Sequence, residues 1–405
     1  MSRARGTPTI RASASPAVIV TDGRYTGVLA AVRALRAGGY RPWVAASDRG
    51  ARAAWSRAAA GVVRTPDPGV DPDGFTEALV DAAGRHGLNA ILPGTERALV
   101  LLAERRDAFS PSVALGTCDL DLVDRATDKL LLGDLAAEAG LETPPTVLRA
   151  ADGGDFPGMS FPVVVKPARS EMRTPGGGFR HFGTRVAENP ESLRRALAAL
   201  PDARGLVQPF LPGTLVTLNG VAWGGKVLCA VHQRAERLWP PRNGVLAYAV
   251  TARADRRLEE AGTKLVGLLG WSGIFNLQFL ECAGTRFLID VNPRIYHSLA
   301  LAVAAGPNLP AMWCDLLLGR APVVPAGYRV GLRFRAEDED LRAIVSAVRA
   351  GKLRAGASAL RPRRRTVHAG FSVRDPLPAA VTLLRVASRL GSRPRAAGGN
   401  PAESA

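Results

Sequence analysis

Polar side chains recur at alternate positions through an otherwise apolar stretch, residues 275–294. It reads Phe-Asn-Leu-Gln-Phe-Leu, then Glu281-Cys282-Ala283-Gly284-Thr285, then Arg-Phe-Leu-Ile-Asp-Val-Asn-Pro-Arg. Two period-two runs around a glycine predict a β-hairpin, with 281–285 as a polar turn. On that register Asn276, Gln278 and Leu280 share one face of the first strand. Asp290 and Asn292 share one face of the second, with Arg294 two residues further on. If the strands pair, Gln278, Asp290 and Asn292 become three oxygen donors side by side. One carboxylate and two amides suit Mg²⁺, which takes few protein ligands and fills its shell with phosphate and water. Polar side chains in apolar strands are costly unless satisfied, so the pattern asks for a reason. A metal–nucleotide site supplies one; an ordinary hairpin with a polar face fits the same spacing.

The scarce lysines are the next residues of interest: Lys129, Lys166, Lys226, Lys264 and Lys352 stand against a large excess of arginine. Lys166 ends the apolar run Phe161-Pro-Val-Val-Val-Lys166-Pro, so it projects a point charge from the end of a buried strand. Gly176-Gly177-Gly178 follow. Backbone without Cβ atoms can wrap phosphates with its free N–H groups, although a solvent loop reads the same way. Lys129, with Asp128, opens a helix that runs to Ala139 and stops at Gly140 before Pro144-Pro145. A cation at a helix start opposes the macrodipole slightly, which favours an anionic neighbour. The hairpin signal Trp223-Gly224-Gly225 joins strands 216–222 and 226–232. Arg234, Arg237 and Arg242 then fall in a loop shaped by Pro240-Pro241 and Gly244. A guanidinium fork there suits a carboxylate or an acylphosphate. His232 reads first as a neutral strand histidine.

These residues need a frame. Ala17–Thr21 is an apolar strand, 28–37 a helix ended by Gly38-Gly39, and 42–46 a second strand, which makes a βαβ unit. Helices at 75–86 and 96–106 and a strand at 89–93 complete a small α/β domain. The turn around Gly27 lacks the full dinucleotide fingerprint. Further helices are expected at 191–200, 258–269, 296–305, 309–318, 337–348 and 378–390, the last amphipathic, with Gly391 at its C-terminal cap. At 405 residues the chain has room for two or three cores.

No apolar run reaches the roughly eighteen residues a membrane span needs, and no leader-like segment stands before Ala14. The four cysteines lack metal spacing, which suits a reducing cytoplasm. The net charge is +17, with a pI near 10.9. Arginine is spread over the whole chain alongside abundant Ala, Gly and Pro. That looks like the usage of a GC-rich genome and argues against a nucleic-acid partner. An acidic, phosphate-bearing substrate accounts for part of the charge more simply.

In order, these motifs resemble the ATP-grasp superfamily, and the Asn-Leu-Gln-Phe form resembles its carbamoyl-phosphate-synthetase branch. The resemblance spans about 120–320. It implies an α/β chain with α+β character in the catalytic part. A small doubly wound parallel sheet (16–117) would precede a two-lobed ATP-grasp domain (118–320, lid 146–212). A basic appendage (321–392) and disordered tails (1–15 and 393–405) would complete the chain. It further implies ATP with Mg²⁺, or Mn²⁺ in its place, held by Gln278, Asp290 and Asn292. Lys129 and Lys166 would meet the phosphates and Gly176, Gly177 and Gly178 would cover them. Gln208, Phe210, Leu211 and Phe279 would surround the adenine. Arg294 would stabilise developing charge, and Arg234, with His232 behind it, would meet the acylphosphate or acceptor. The implied activity is ligation of a small-molecule carboxylate to an amine, in the cytoplasm, by a monomer or a homodimer. The chain departs from the pattern after Gly213, where relatives carry a ribose-binding acid and this sequence has Thr214-Leu215. A nucleotide-binding regulatory protein without ligase turnover is the alternative. Bicarbonate as the carboxylate is a variant of the first reading, though no second grasp half is present.

Overall fold

The computed structural model describes residues 15–148, 160–174, 176–200, 205–352, 363 and 365–391. The expected disordered tails, apart from Ser15, and part of the basic run 362–365 lie outside them. The chain is a mixed α/β protein whose first sheet is parallel and whose other sheets are largely antiparallel.

The first sheet contains β1 (Ala17–Val20), β2 (Arg41–Ala46), β3 (Gly61–Arg64), β4 (Leu88–Leu92) and β5 (Ala114–Leu115), in the order β3-β2-β1-β4-β5. Every residue of β1 is buried, as expected for a central strand covered on both faces. Helix α1 (Thr26–Ala37) packs on one face and α2 (Pro72–His86) and α3 (Glu96–Glu104) on the other. Local signals set the ends of α2. The Asp71 carboxylate accepts from the Gly74 N–H, Pro72 takes the first turn, and Gly87 closes the helix at φ +58°.

Helices α4 (Leu120–Thr127) and α5 (Leu131–Ala139) lead to a four-stranded sheet. It holds β6 (Val147–Leu148), β7 (Val163–Pro167), β10 (Arg185–Ala187) and β11 (Gly205–Pro209), with α6 (Pro190–Ala198) over it. Between β7 and β10 stands a feature the sequence reading missed: a hairpin of β8 (Glu171–Arg173) and β9 (Phe179–His181).

The largest sheet has seven strands in the order β16-β15-β12-β13-β14-β17-β18. Its members are β12 (Thr214–Trp223), β13 (Lys226–Trp239), β14 (Val245–Thr251), β15 (Gly273–Cys282), β16 (Thr285–Asn292), β17 (Arg333–Arg335) and β18 (Thr366–His368). Helix α7 (Arg256–Leu269) covers one face together with α4 and α5. Helices α8 (Leu299–Ala305) and α9 (Leu309–Leu317) fill the space between this sheet and the parallel one. Helix α10 (Glu337–Arg349) lies against β13 and β14, and α11 (Leu377–Gly391) ends the described chain. Gly391 falls inside α11, not after it.

Three expectations change. The polar turn shortens to Ala283-Gly284, both at positive φ (+49° and +84°), because Glu281 pairs with Arg286 and Cys282 with Thr285. Strand β13 runs to Trp239, so Arg234 and Arg237 lie on a strand, not in a loop. The sheet tolerates Arg237 because its guanidinium stacks 4.4 Å from the Tyr248 ring and bonds Asp340 at 2.7 Å. The stretch read as an appendage supplies β17 and β18 to the main sheet. It is also tied to the first sheet through Asp375, which accepts from Arg33 Nε (2.9 Å), Ser56 Oγ (2.6 Å) and the Arg57 N–H (2.9 Å).

Candidate active site

The hairpin β15–β16 pairs Asn276 with Asn292 and Gln278 with Asp290. Beyond that point Phe279 pairs with Leu288, so Ile289 is a bulged extra residue. The bulge matters because the Ile289 carbonyl, outside the pairing, accepts from Lys166 Nζ at 3.2 Å. Strand β7 thus delivers its lysine to the Gln278–Asp290 end of the hairpin. Lys129 Nζ arrives from the start of α5, 3.5 Å from Asp290 Oδ1 and 3.0 Å from Ser170 Oγ. Lys166 is 7% exposed. Burial pushes its ammonium down to about 8, with Asp290 holding it up and Lys129 lowering it further.

Polar residues continue across the same face of the sheet. Asn219 on β12 stands opposite Asn276 and bonds it at 2.5 Å. Asn292 Nδ2 donates to Asn276 Oδ1 at 3.1 Å, as does Gln278 Nε2 at 3.1 Å. The next row runs Asp290, Gln278, Thr217 and Gln233. Asn219, Asn276 and Gln233 are buried and carry no charge. Asn276, held by Asn219, fixes the amide orientations of Gln278 and Asn292. The sequence signal for Thr217 and Asn219 was present: polar residues two apart in an apolar strand. Arg294 Nη2 bonds Asn292 Oδ1 at 3.1 Å, and Nη1 reaches the Tyr25 hydroxyl at 3.3 Å.

This face forms one wall of a cleft of about 720 Å³. Loops of the parallel sheet form another wall, through Asp22, Tyr25, Thr95 and Glu96. Lys129, Lys166, Gln208, Phe210, Leu211, Gln278, Asp290, Asn292 and Arg294 all line it, which brings most of the expected site residues together. Gln208 Nε2 bonds Thr146 Oγ1 at 2.8 Å, and the Arg242 guanidinium lies 5.0 Å from the Phe210 ring centre.

Six expected residues are elsewhere. Phe279 follows Gln278 and therefore points through the sheet, where it is fully buried with Val216, Leu277 and Leu288. Leu280 and Leu215 stand on the cleft side in its place. Arg234 pairs with Val216 and so also faces away. It bonds Glu281 at 2.8 Å, and Glu281 in turn accepts from Arg286 at 3.0 Å. His232 shares that far face and meets Glu259 of α7 at 3.3 Å; burial holds its imidazole below the usual range. Gly176, Gly177 and Gly178 lie outside the cleft lining. The β8–β9 hairpin is docked on the parallel sheet's loops instead: the Phe179 N–H donates to the Gly69 carbonyl at 2.9 Å, and Glu171 pairs with Arg97 at 3.2 Å. Phe179, Arg180, His181 and Phe182 face the cleft in place of the glycines.

The donor set fits a divalent cation that arrives on a polyphosphate. Among the described residues no three His, Cys, Asp or Glu side chains cluster as a protein-only metal cage. Among the described residues Asp290 is the carboxylate beside Gln278 and Asn292, and the two lysines and Arg294 near it suit a phosphate anion.

Residues 202–339 match the family model described as ATP-grasp in the biosynthetic pathway with Ter operon. The chain superposes on a biotin carboxylase–β,γ-ATP complex from Campylobacter jejuni with a TM-score of 0.60. That match is 16% identical and covers 78% of this chain and 74% of the other. The chain has the ATP-grasp fold. An L-amino acid ligase from Bacillus licheniformis superposes with a TM-score of 0.58 at 14% identity, over 77% of this chain and 75% of that one. The carbamoyl phosphate synthase large chain of Acidobacterium capsulatum is 27% identical over 245 residues, 56% of this chain. The match spans only 22% of that relative's length. A biotin carboxylase domain from Hydrogenobacter thermophilus, solved with MgADP and bicarbonate, superposes at 17% identity with a TM-score of 0.58, over 78% of this chain and 73% of that one.

Proposed function

We propose that this ATP-grasp protein is an ATP- and Mg²⁺-dependent ligase that activates a carboxylate as its acylphosphate and joins it to an amine. One observation carries the reading. The Gln278–Asp290 and Asn276–Asn292 pairs stand between Lys129, Lys166 and Arg294, on the wall of a cleft large enough for a nucleotide and a second molecule. Lys166 and Lys129 bind phosphate oxygens. Gln278, Asp290 and Asn292 hold the cation, which when bound neutralises the phosphates and polarises the transferred one. Phe210, Leu211 and Leu280 pack against the base.

The carboxylate oxygen attacks the γ-phosphorus and ADP leaves. The amine then attacks the acyl carbon and phosphate leaves. Arg294, anchored by Tyr25 and Asn292, meets the charge that develops on the transferred phosphoryl group. Phe179–Phe182 and the loops of the parallel sheet limit water access to the acylphosphate.

ADP release from Mg-ATP with pooled amino acids and small carboxylates tests the reading. Asp290→Ala should reduce it by about 10²-fold or more, the scale on which loss of a preorganised charge is felt. Substrate-independent binding of Mg-ATP, with no ADP from any pool, would instead favour a regulatory nucleotide sensor. The absence of an acid after Gly213 is what keeps that second reading in view.

A further inference from the structure

The order of the parallel sheet puts β1 beside β4, while β1 leads to β2 on one side and β4 to β5 on the other. Chains that diverge in this way leave a crevice at the carboxyl ends of the two strands, a favoured place for ligands. Here the crevice is lined by Asp22, Tyr25, Thr95 and Glu96, and it opens into the cleft that Asp290 and Arg294 also line, with Arg294 reaching Tyr25. Asp22 stands at φ +58°, a left-handed conformation that Asp tolerates better than most, and its carboxylate accepts from Thr21 Oγ1 at 2.5 Å.

Glu96 is 7% exposed and has no hydrogen-bond or ion-pair partner among the described residues. The carboxylates that share its surroundings are each held: Glu171 by Arg97 and His181, Asp290 by Lys129. A buried carboxylate without a partner is costly, and a cationic ligand relieves that cost. Two acids at the crevice also disfavour an anionic second substrate. The site is close enough to the reacting end for Glu96 to feel Lys129, Arg294 and Asp290, as well as Glu171. Burial raises its carboxyl and the two cations oppose that rise, which moves it in the direction a general base requires.

We propose that Glu96 receives the ammonium group of the second substrate and takes its proton, so that the free amine can attack the acylphosphate. Asp22 completes the anionic crevice. In the step, the ammonium N–H bond breaks and the proton passes to a Glu96 oxygen. The nitrogen lone pair forms the C–N bond, the C–O bond to phosphate breaks, and the second N–H proton leaves with the phosphate. Glu96 returns its proton to water after the amide departs. The second substrate is thus a primary amine that enters protonated, not an anion such as a second carboxylate. This rests on the ligase reading above.

The test compares wild type and Glu96→Gln in two reactions with Mg-ATP and the pooled amino acids and small carboxylates. One includes excess hydroxylamine, a nucleophile that is neutral near pH 7 and needs no base; the other contains only the pool. Hydroxamate should form at similar rates in both proteins. Amide formation without hydroxylamine should fall by about 10²-fold or more in the variant, chiefly in kcat. If Glu96→Gln couples amines like wild type, the inference is wrong. If both reactions fall together, Glu96 is only structural and the inference is also wrong. If wild type makes no hydroxamate, the ligase reading fails and takes this one with it. Glu96→Asp, which keeps the base and withdraws it by one methylene, should show the same split in smaller measure. It provides the comparison if the Gln variant folds poorly.

Discussion

Lys166→Met separates the stability of this protein from its function. Methionine keeps the length of the side chain and removes the ammonium. In the folded chain that ammonium sits at about 8 against an ordinary 10.5, with burial the largest cause. At about 1.4 kcal/mol per pKa unit, the buried charge costs the fold about 3 kcal/mol wherever it stays protonated. The group is a base whose folded value is depressed. The penalty is therefore fully present below pH 8 and is relieved as pH rises from 8 towards 10.5. Nucleotide-free Lys166→Met should accordingly be more stable than wild type at pH 7, by up to about 3 kcal/mol, with the gap closing towards pH 10.5. Denaturant titrations at several pH values measure this. The same variant should lose most of the rise in melting temperature that Mg-ATP gives wild type, because the buried charge is kept for phosphate. A variant less stable than wild type at pH 7, with a pH-independent gap, would refute the reasoning. So would an unchanged response to Mg-ATP.

Other residues give sharp expectations. Arg234→Ala should leave ADP release within about twofold of wild type, since Arg234 faces away from the cleft and its exposed ion pair with Glu281 is worth little; a large loss of kcat would return it to the site. Gly178→Ala would place a methyl 2.3 Å from the Gly69 carbonyl oxygen, so denaturant melts should show about 1–3 kcal/mol of destabilisation as the β8–β9 hairpin is forced off its seat. Asp375→Ala takes the carboxylate acceptor from Arg33 Nε, Ser56 Oγ and the Arg57 N–H, while Arg33 keeps the Gly370 and Asp375 carbonyls, and should cost about 1–3 kcal/mol in the same measurement. Burial raises the Asp375 carboxyl, but bonds from Ser56, Arg57 and Arg33 outweigh that and hold it below the usual range. Its contribution is thus present at neutral pH and lost as the pH falls through that lowered value, and wild type should lose this part of its stability in acid while Asp375→Ala does not.

Much of the site follows from side-chain spacing along single strands. Alternation decided that Gln278 shares a face with Asn276, and Asp290 with Asn292, and pairing in a hairpin then leaves few registers. The apolar run into Lys166 placed that lysine at a strand end for the same reason. Period two also excludes Phe279 from the face that holds Gln278, so its burial behind the sheet was legible in the sequence. The helix end at Gly140 was legible because a left-handed cap strongly favours glycine.

What only the tertiary structure decided depends on which strands meet and on where a bulge falls. The extra residue at Ile289 gives Lys166 a carbonyl to bond, and no local signal marks it. Arg234 read as a loop residue because Pro240-Pro241 and Gly244 follow it closely. Stacking of Arg237 on Tyr248 and its bond to Asp340 are long-range contacts that make the longer strand stable. The glycines 176–178 were compatible with a phosphate loop, and the docking of their hairpin on Gly69 moved them out of the cleft. Glu96 reads in the sequence as an ordinary acid in the first turn of a helix, where the dipole favours one. Only the packing of the parallel sheet against the hairpin 275–294 shows it to be buried, without a partner among the described residues, and on the cleft that Asp290 also lines.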